Sequence, residues 1–87
     1  MALSFPNDSR SYDATRQAVR FWGHHSAMES SFFLTADGLK RLQPDMASGP
    51  DAALRVFDSH RQQIYAAAAK VYARGRKGSY DLTASDF

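Results

Sequence analysis

One arginine falls within the apolar stripe of the longest predicted helix, residues 52–74. Arg61 lies about one helical turn from apolar residues on both sides, in an arc that also contains Leu54, Phe57, Ile64, Ala68 and Val71. A cation on a core-facing side needs a carboxylate, a set of carbonyl oxygens or a wet cleft. The spacing therefore predicts that Arg61 is either a structural ion-pair anchor or an anion-binding side chain beside His60.

Three carboxylates in the predicted sheet and tail are candidate partners for Arg61: Glu29, Asp81 and Asp86. We interpret the pair first as structural, because partly buried arginines more often stabilise a fold than bind a ligand. The alternative is a small-ligand site or an active site formed by His60, Arg61 and Glu29.

Metal binding and nucleophilic catalysis are both poorly supported by the sequence. A metal site would need His24 or His25 to converge with Glu29 and His60 at ~2 Å from the ion, and no short His-x-x-x-His spacing exists. The chain has no cysteine and no Gly-x-Ser-x-Gly nucleophile motif. We therefore expect no metal, no cofactor and no enzymatic activity.

A basic run spans the end of the long predicted helix, comprising Lys70, Arg74, Arg76 and Lys77. Cations at a helix C-terminus complement the helix dipole, which is the ordinary explanation. The alternative is a nucleic-acid contact, because Tyr72 and Tyr80 are close to these cations and could stack on bases. The net charge of +2 is small for a dedicated nucleic-acid-binding protein.

Alternation in the predicted strands places aromatic side chains on both faces of the sheet. In residues 18–22, Arg20 and Trp22 point away from the side that carries Val19 and Phe21. In residues 28–34, Phe33 lies on the side opposite Phe32, Leu34 and Met28. If helices cover only one face, Trp22, Phe33 and Arg20 would face water or a partner. We therefore predict a binding module that self-associates as a homodimer, or binds another protein, through this open face.

The predicted elements are strands at residues 3–5, 18–22, 28–34 and 79–83, a short helix from residue 36 to 42 or 43, and a long helix at 52–74. Thr35 is the expected N-cap of the short helix, and Pro50 is expected near the first turn of the long one. Residues 7–17 read as turns, with one helical turn near residues 13–16. The β-β-β-α-α-β order predicts a two-layer α+β domain with a mainly antiparallel sheet and both helices on one face.

The composition predicts one small domain spanning residues 1–87, with its fold stabilised by hydrophobic burial. Of the 87 residues, 44% are hydrophobic and none is cysteine, so disulfides cannot contribute. The sequence shows no signal-peptide pattern and no apolar run near the ~20 residues of a membrane span. We therefore expect a cytoplasmic protein that does not bind membranes.

Several sequence blocks together resemble a known family. They are Leu-Ser-Phe-Pro-Asn at residues 3–7, Ser-Tyr-Asp at 11–13, Ala-Val-Arg-Phe-Trp-Gly at 18–23, Phe-Asp-Ser-His-Arg at 57–61 followed by Ile64, and Tyr-Asp-Leu-Thr-Ala-Ser-Asp-Phe at 80–87. In this order they resemble the short bacterial proteins of domain-of-unknown-function family 1488. The resemblance implies a small bacterial α+β protein without an established activity, and it supplies no assigned site residues.

Overall fold

Four strands form one mixed sheet in the computed structural model, which describes residues 3–75 and 78–87. The elements are β1 (Arg10–Asp13), β2 (Ala18–His25), β3 (Met28–Thr35), α1 (Ala36–Leu42), α2 (Pro50–Ser59), α3 (Arg61–Arg74), β4 (Ser79–Leu82) and a 3-10 turn at Ala84–Asp86. The strand order is β1-β2-β3-β4; the first two pairings are antiparallel and the last is parallel. The predicted α+β fold with a mainly antiparallel, four-stranded sheet is confirmed.

The first strand lies later in the chain than the sequence indicated. Residues 3–5 form only an isolated bridge, between Ser4 and His24, whereas β1 falls in the polar stretch where we expected turns. In β1, Tyr12 faces Val19 and Arg10 faces Phe21, so both β1 side chains point to the inner side of the sheet. A half-buried tyrosine and an ion-paired arginine thus take the positions that apolar side chains usually occupy.

The N-terminal segment packs on the inner side of β2, and Gly23 provides the space for it. A Cβ atom at Gly23 would lie 3.1 Å from side-chain atoms of both Leu3 and Phe5 and 2.9 Å from Phe32. The Phe5 ring stacks on Tyr65 of α3, with centroids 4.0 Å apart. This segment therefore joins the sheet to the helical layer.

The long predicted helix is two helices. His60 separates α2 from α3 with φ −122° and ψ 24°, outside the helical region, although no glycine or proline interrupts the sequence there. The predicted place of Pro50 in the first turn is confirmed, since α2 begins at Pro50, after the N-cap Gly49. The break allows α2 to pack against β1 and β2, whereas α3 packs against β4.

The core lies between the inner face of the sheet and the helices. Phe21, Phe32 and Leu34 on the sheet meet Phe57 and Ile64 on the helices, and each is at most 1% exposed. The predicted alternation in β2 and β3 is therefore correct. The outer face of the sheet carries Arg20, Trp22 and Phe33, as the sequence predicted, and no described helix covers it.

Candidate functional site

One carboxylate joins two arginines at the junction of β1, α2 and α3. Arg10 donates to both oxygens of Asp58, through Nε at 3.0 Å and Nη2 at 2.8 Å. Arg61 Nη2 donates to Asp58 Oδ1 at 2.9 Å, and its Nη1 donates to the Tyr65 hydroxyl at 2.8 Å. The Arg61 guanidinium also lies over the Phe57 ring, 5.0 Å from its centroid.

The charges of this cluster shift the pKa values of its members in opposite directions. Hydrogen bonding from Arg10, supported by Arg61, lowers the pKa of Asp58 below its ordinary value despite partial desolvation. The same contact with Asp58 raises the pKa of Arg10. Both ionised forms are therefore stabilised, which is the behaviour of a structural ion pair.

Arg61 is thus drawn to a carboxylate, but not to one of the three we considered. Its partner is Asp58, three residues earlier, rather than Glu29, Asp81 or Asp86. In a straight helix Arg61 would have faced the core; the break at His60 places its side chain at the rim, 27% exposed. The i,i+3 spacing of an aspartate and an arginine is the sequence signal that could have identified this pair.

An open cleft of about 510 Å³ adjoins the cluster, lined by Phe5, Asp8, Ser9, Arg10, Asp58, Arg61 and Tyr65. The lining contains two arginines and two aspartates. Both guanidinium groups already donate hydrogen bonds to protein oxygens. An anion would have to compete with Asp58 for these donors. The arrangement therefore favours a structural role over the anion site that we proposed as the alternative.

The remaining members of the predicted ligand or metal site do not converge. His24 Nε2 lies 3.1 Å from Glu29 Oε2, whereas His60 Nδ1 contacts Gln63 Oε1 at 3.2 Å on the helical layer. His25 Nδ1 is bonded to the Tyr72 hydroxyl at 3.0 Å. Within residues 3–75 and 78–87, no three His, Asp or Glu side chains are grouped as metal ligands would be.

The basic end of α3 is only partly described. Lys70 and Arg74 are exposed, and Arg74 Nη1 lies 3.5 Å from Asp86 Oδ1. Arg76 and Lys77 lie outside the described residues. A nucleic-acid contact at this position stays a prediction, and the Asp86 carboxylate already offsets part of the positive charge.

The outer face of the sheet carries alternating arginine and aromatic groups. Arg16, from the turn before β2, lies over the Phe33 ring at 4.1 Å from its centroid. Arg20 lies 5.7 Å from the Phe33 centroid and 5.2 Å from that of Trp22, and it donates to Ser31 Oγ at 3.0 Å. Phe33 is consequently only 6% exposed, although no helix covers it. Nothing in the sequence indicated Arg16, because its position depends on the turn geometry.

The two ends of this outer face carry different charged side chains, with Asp13, Arg16, Arg20 and Asp81 at one end and Glu29 at the other. Arg20 is paired with Phe33 in the strand register, at one end, and has no carboxylate partner among the described residues. Glu29 is paired with His24 at the other end of the same two strands. Between them, Trp22 faces Ser31 in the register. Arg16 and Asp81 lie 3.8 Å apart at the edge nearest Arg20.

A second pocket, of about 440 Å³, lies on the helical side of the sheet between α1, the loop after it and the start of α2. Its lining residues are mostly apolar or uncharged, and Lys40 is the charged one: Tyr12, Gln17, Ala36, Leu39, Lys40, Pro44, Met46, Ala47, Ser48, Gly49 and Ala53. The sequence did not indicate this pocket, since its walls come from four separate segments.

These features define a small α+β protein with a four-stranded mixed sheet, helices on one face and an arginine–aromatic surface on the other. The chain belongs to the family described as "Protein of unknown function (DUF1488)", which matches residues 3–83. A crystal structure of a DUF1488-family protein of unknown function from Shewanella loihica PV-4 is similar to this chain. It has a TM-score of 0.81 at 18% identity, over 92% of this chain and 90% of that one.

The predicted resemblance to family 1488 is therefore confirmed. The comparison with the curated proteins gave no match. No helix within the described residues is long and apolar enough to span a membrane.

Proposed function

We propose that this protein is a non-catalytic binding module whose outer sheet face pairs with the same face of a second copy. The observation that carries the proposal is Arg20, which has no carboxylate partner within the described residues and lies at one end of the face that also carries Trp22 and Phe33. Glu29 supplies the opposite charge at the other end, where its neighbour within the chain is His24.

A two-fold axis through the middle of the face would match these ends. Arg20 and His24 are four residues apart in β2, which is about 13 Å along the strand. With the axis near Trp22 and Ser31, Arg20 of one copy would approach Glu29 of the other, and the reverse contact would form at the same time. The Trp22 rings would then be buried at the centre, where aromatic side chains contribute most to association.

The dimensions of the face predict that this dimer is weak. Strands of eight residues are about 26 Å long, and four strands about 4.8 Å apart give a face of less than the ~800 Å² per partner of a standard interface. We therefore expect dissociation in the micromolar to millimolar range, and a mostly monomeric protein at low concentration.

Charge exchange tests the arrangement. Arg20→Glu and Glu29→Arg should each weaken the dimer at least tenfold, because each creates two repulsive pairs across the axis. The double variant should restore dimerisation, since the pairs re-form with exchanged charges. Sedimentation equilibrium from 5 µM to 1 mM would measure each dissociation constant, about the range expected for an interface of this size.

Arg55→Glu is the matched control, because Arg55 is exposed on α2, away from the outer face. It alters the net charge as Arg20→Glu does and should leave the dissociation constant unchanged. A wild-type protein that stays monomeric at ~1 mM would refute the proposal. So would a double variant that associates no better than either single variant.

A further inference from the structure

The second pocket has the composition of a ligand site rather than of a packing defect. Its floor contains Leu39 and Ala53, which are 2% and 3% exposed and belong to the core. Met46 from the loop after α1 and Tyr12 from β1 form part of the walls. A volume of about 440 Å³ lies within the ~300–1,000 Å³ range of small-molecule sites.

Polar groups of this pocket are not engaged by the protein. Within the described residues, the Lys40 ammonium makes no ion pair and the hydroxyl of Tyr12 makes no hydrogen bond. The Gln17 side chain, which also lines the pocket, is likewise without a described hydrogen bond. A pocket lined by apolar side chains together with a few polar groups that the protein does not engage is a common arrangement of a ligand site.

The sign of the charge indicates the kind of ligand. Lys40 is the charged member of the lining, so the pocket is formally positive. Gly49 also lines it and begins α2 without a side-chain cap, so the first amides of α2 add positive potential on that side. Asp51, in the same first turn, is not among the lining residues.

We propose that this pocket binds a small amphipathic carboxylate. Its apolar body would pack against Pro44, Met46 and Ala47 above the buried floor, and its carboxylate would pair with Lys40. The proposal does not depend on self-association, because the pocket lies on the helical side of the sheet and the dimer contact on the other.

Titration of the ¹⁵N-labelled protein with octanoate tests the proposal, with 1-octanol as the uncharged comparison. Octanoate should shift the amide resonances of α1, the loop at residues 43–49 and the start of α2 in a saturable way. Octanol should bind at least fivefold more weakly, because it cannot form the ion pair. Lys40→Gln should weaken octanoate binding by a similar factor and leave octanol binding unchanged.

Two further variants separate binding in this pocket from binding elsewhere on the protein surface. Ala47→Phe should fill the mouth and abolish saturable shifts, and since Ala47 is exposed the fold should be retained. Lys70→Gln removes an exposed lysine of α3 and should have no effect on octanoate binding. The proposal is wrong if octanoate gives no saturable shifts up to ~10 mM, a concentration at which even a millimolar dissociation constant would be detected. It is also wrong if Lys40→Gln binds octanoate as tightly as the wild type.

Discussion

Asp58 connects α2, to which it belongs, with β1 and α3. Its two oxygens accept from Arg10 on β1 and from Arg61 at the start of α3, while its own backbone belongs to the last turn of α2. Without this carboxylate, two guanidinium groups would face each other at the same junction. We therefore expect Asp58 to contribute more to the free energy of unfolding than either arginine, since the loss of one arginine leaves the ion pair with the other intact.

We predict that Asp58→Asn lowers the free energy of unfolding by about 1–2 kcal/mol. The amide cannot accept charge-assisted hydrogen bonds from two arginines, and the estimate is limited because the Asp58 side chain is 40% exposed. Chemical denaturation at neutral pH measures the change. Asp45→Asn, in the exposed loop before α2 and without a described partner, should change stability by less than ~0.5 kcal/mol. Equal effects of the two variants would show that the cluster contributes nothing.

The lowered pKa of Asp58 gives this contribution a definite pH dependence. Its folded-state pKa lies below the unfolded value because of the hydrogen bond from Arg10, so the stabilisation is present at neutral pH. It is lost as the pH falls below about 4 and through the folded-state pKa. The stability difference between wild type and Asp58→Asn should therefore shrink between pH 5 and pH 2. A difference that stays constant over this range would contradict the assignment.

The first turn of α1 is fixed by an N-cap and by a hydrogen bond to a distant segment of the chain. Thr35 is its N-cap and accepts from the Gly38 amide, as the sequence predicted. Asp37 accepts from the Thr35 hydroxyl and from the Ala84 amide, and the Thr35 contact, with the backbone bonds, lowers the pKa of Asp37. The first turn of α1 is thereby joined to the 3-10 turn that follows β4.

Gly38 determines how closely α1 approaches β4. A Cβ atom there would lie 3.0 Å from the Leu82 carbonyl oxygen and 2.8 Å from a Leu34 methyl carbon. Gly→Ala in a helix usually stabilises by up to ~1 kcal/mol, but here the backbone carbonyl cannot move without shifting β4. We predict that Gly38→Ala destabilises by about 1–3 kcal/mol.

Thermal unfolding of Gly38→Ala and Gly78→Ala checks this prediction. Gly78 has open space around its Cβ position, so its alanine variant should melt within a few degrees of the wild type. A Gly38→Ala protein that melts at the wild-type temperature or above would show that α1 can move away from β4 at little cost.

The elements that were predicted correctly are those whose signals lie within the element itself or next to it in the chain. The β2–β3 hairpin follows from alternation, and the start of α1 follows from the Thr35 cap. β1 was missed because its pairing depends on Arg10 and Tyr12, whose inward positions are fixed by Asp58 and Val19 in distant segments. The break at His60 was missed because tertiary packing, rather than glycine or proline, ends α2.

The whole molecule presents two unlike faces on one sheet. The inner face carries stacked aromatic rings that the helices cover. The ring centroids of Phe21 and Phe32 are 5.3 Å apart, and those of Phe32 and Tyr80 are 4.9 Å apart. Among the described residues, the outer face is covered only by arginine side chains, whose guanidinium groups lie over Phe33 and Trp22. The outer layer is thinner and reaches solvent, as Arg16 is 51% exposed. A partner surface could displace these arginines without disturbing the core.

Phe32 and Phe33 are adjacent in β3 and lie on opposite faces, which allows the two layers to be compared directly. Phe32→Ala should lower the free energy of unfolding by about 3–5 kcal/mol, because it opens a cavity within the aromatic core. Phe33→Ala should cost clearly less, about 1–2 kcal/mol, because the side chains of Arg16 and Arg20 can move and water can enter. Urea denaturation of both variants below the concentration of self-association measures the difference. Equal losses would mean that the arginine-covered face packs as a second core, and a surface of that kind could not open to receive another copy of the chain.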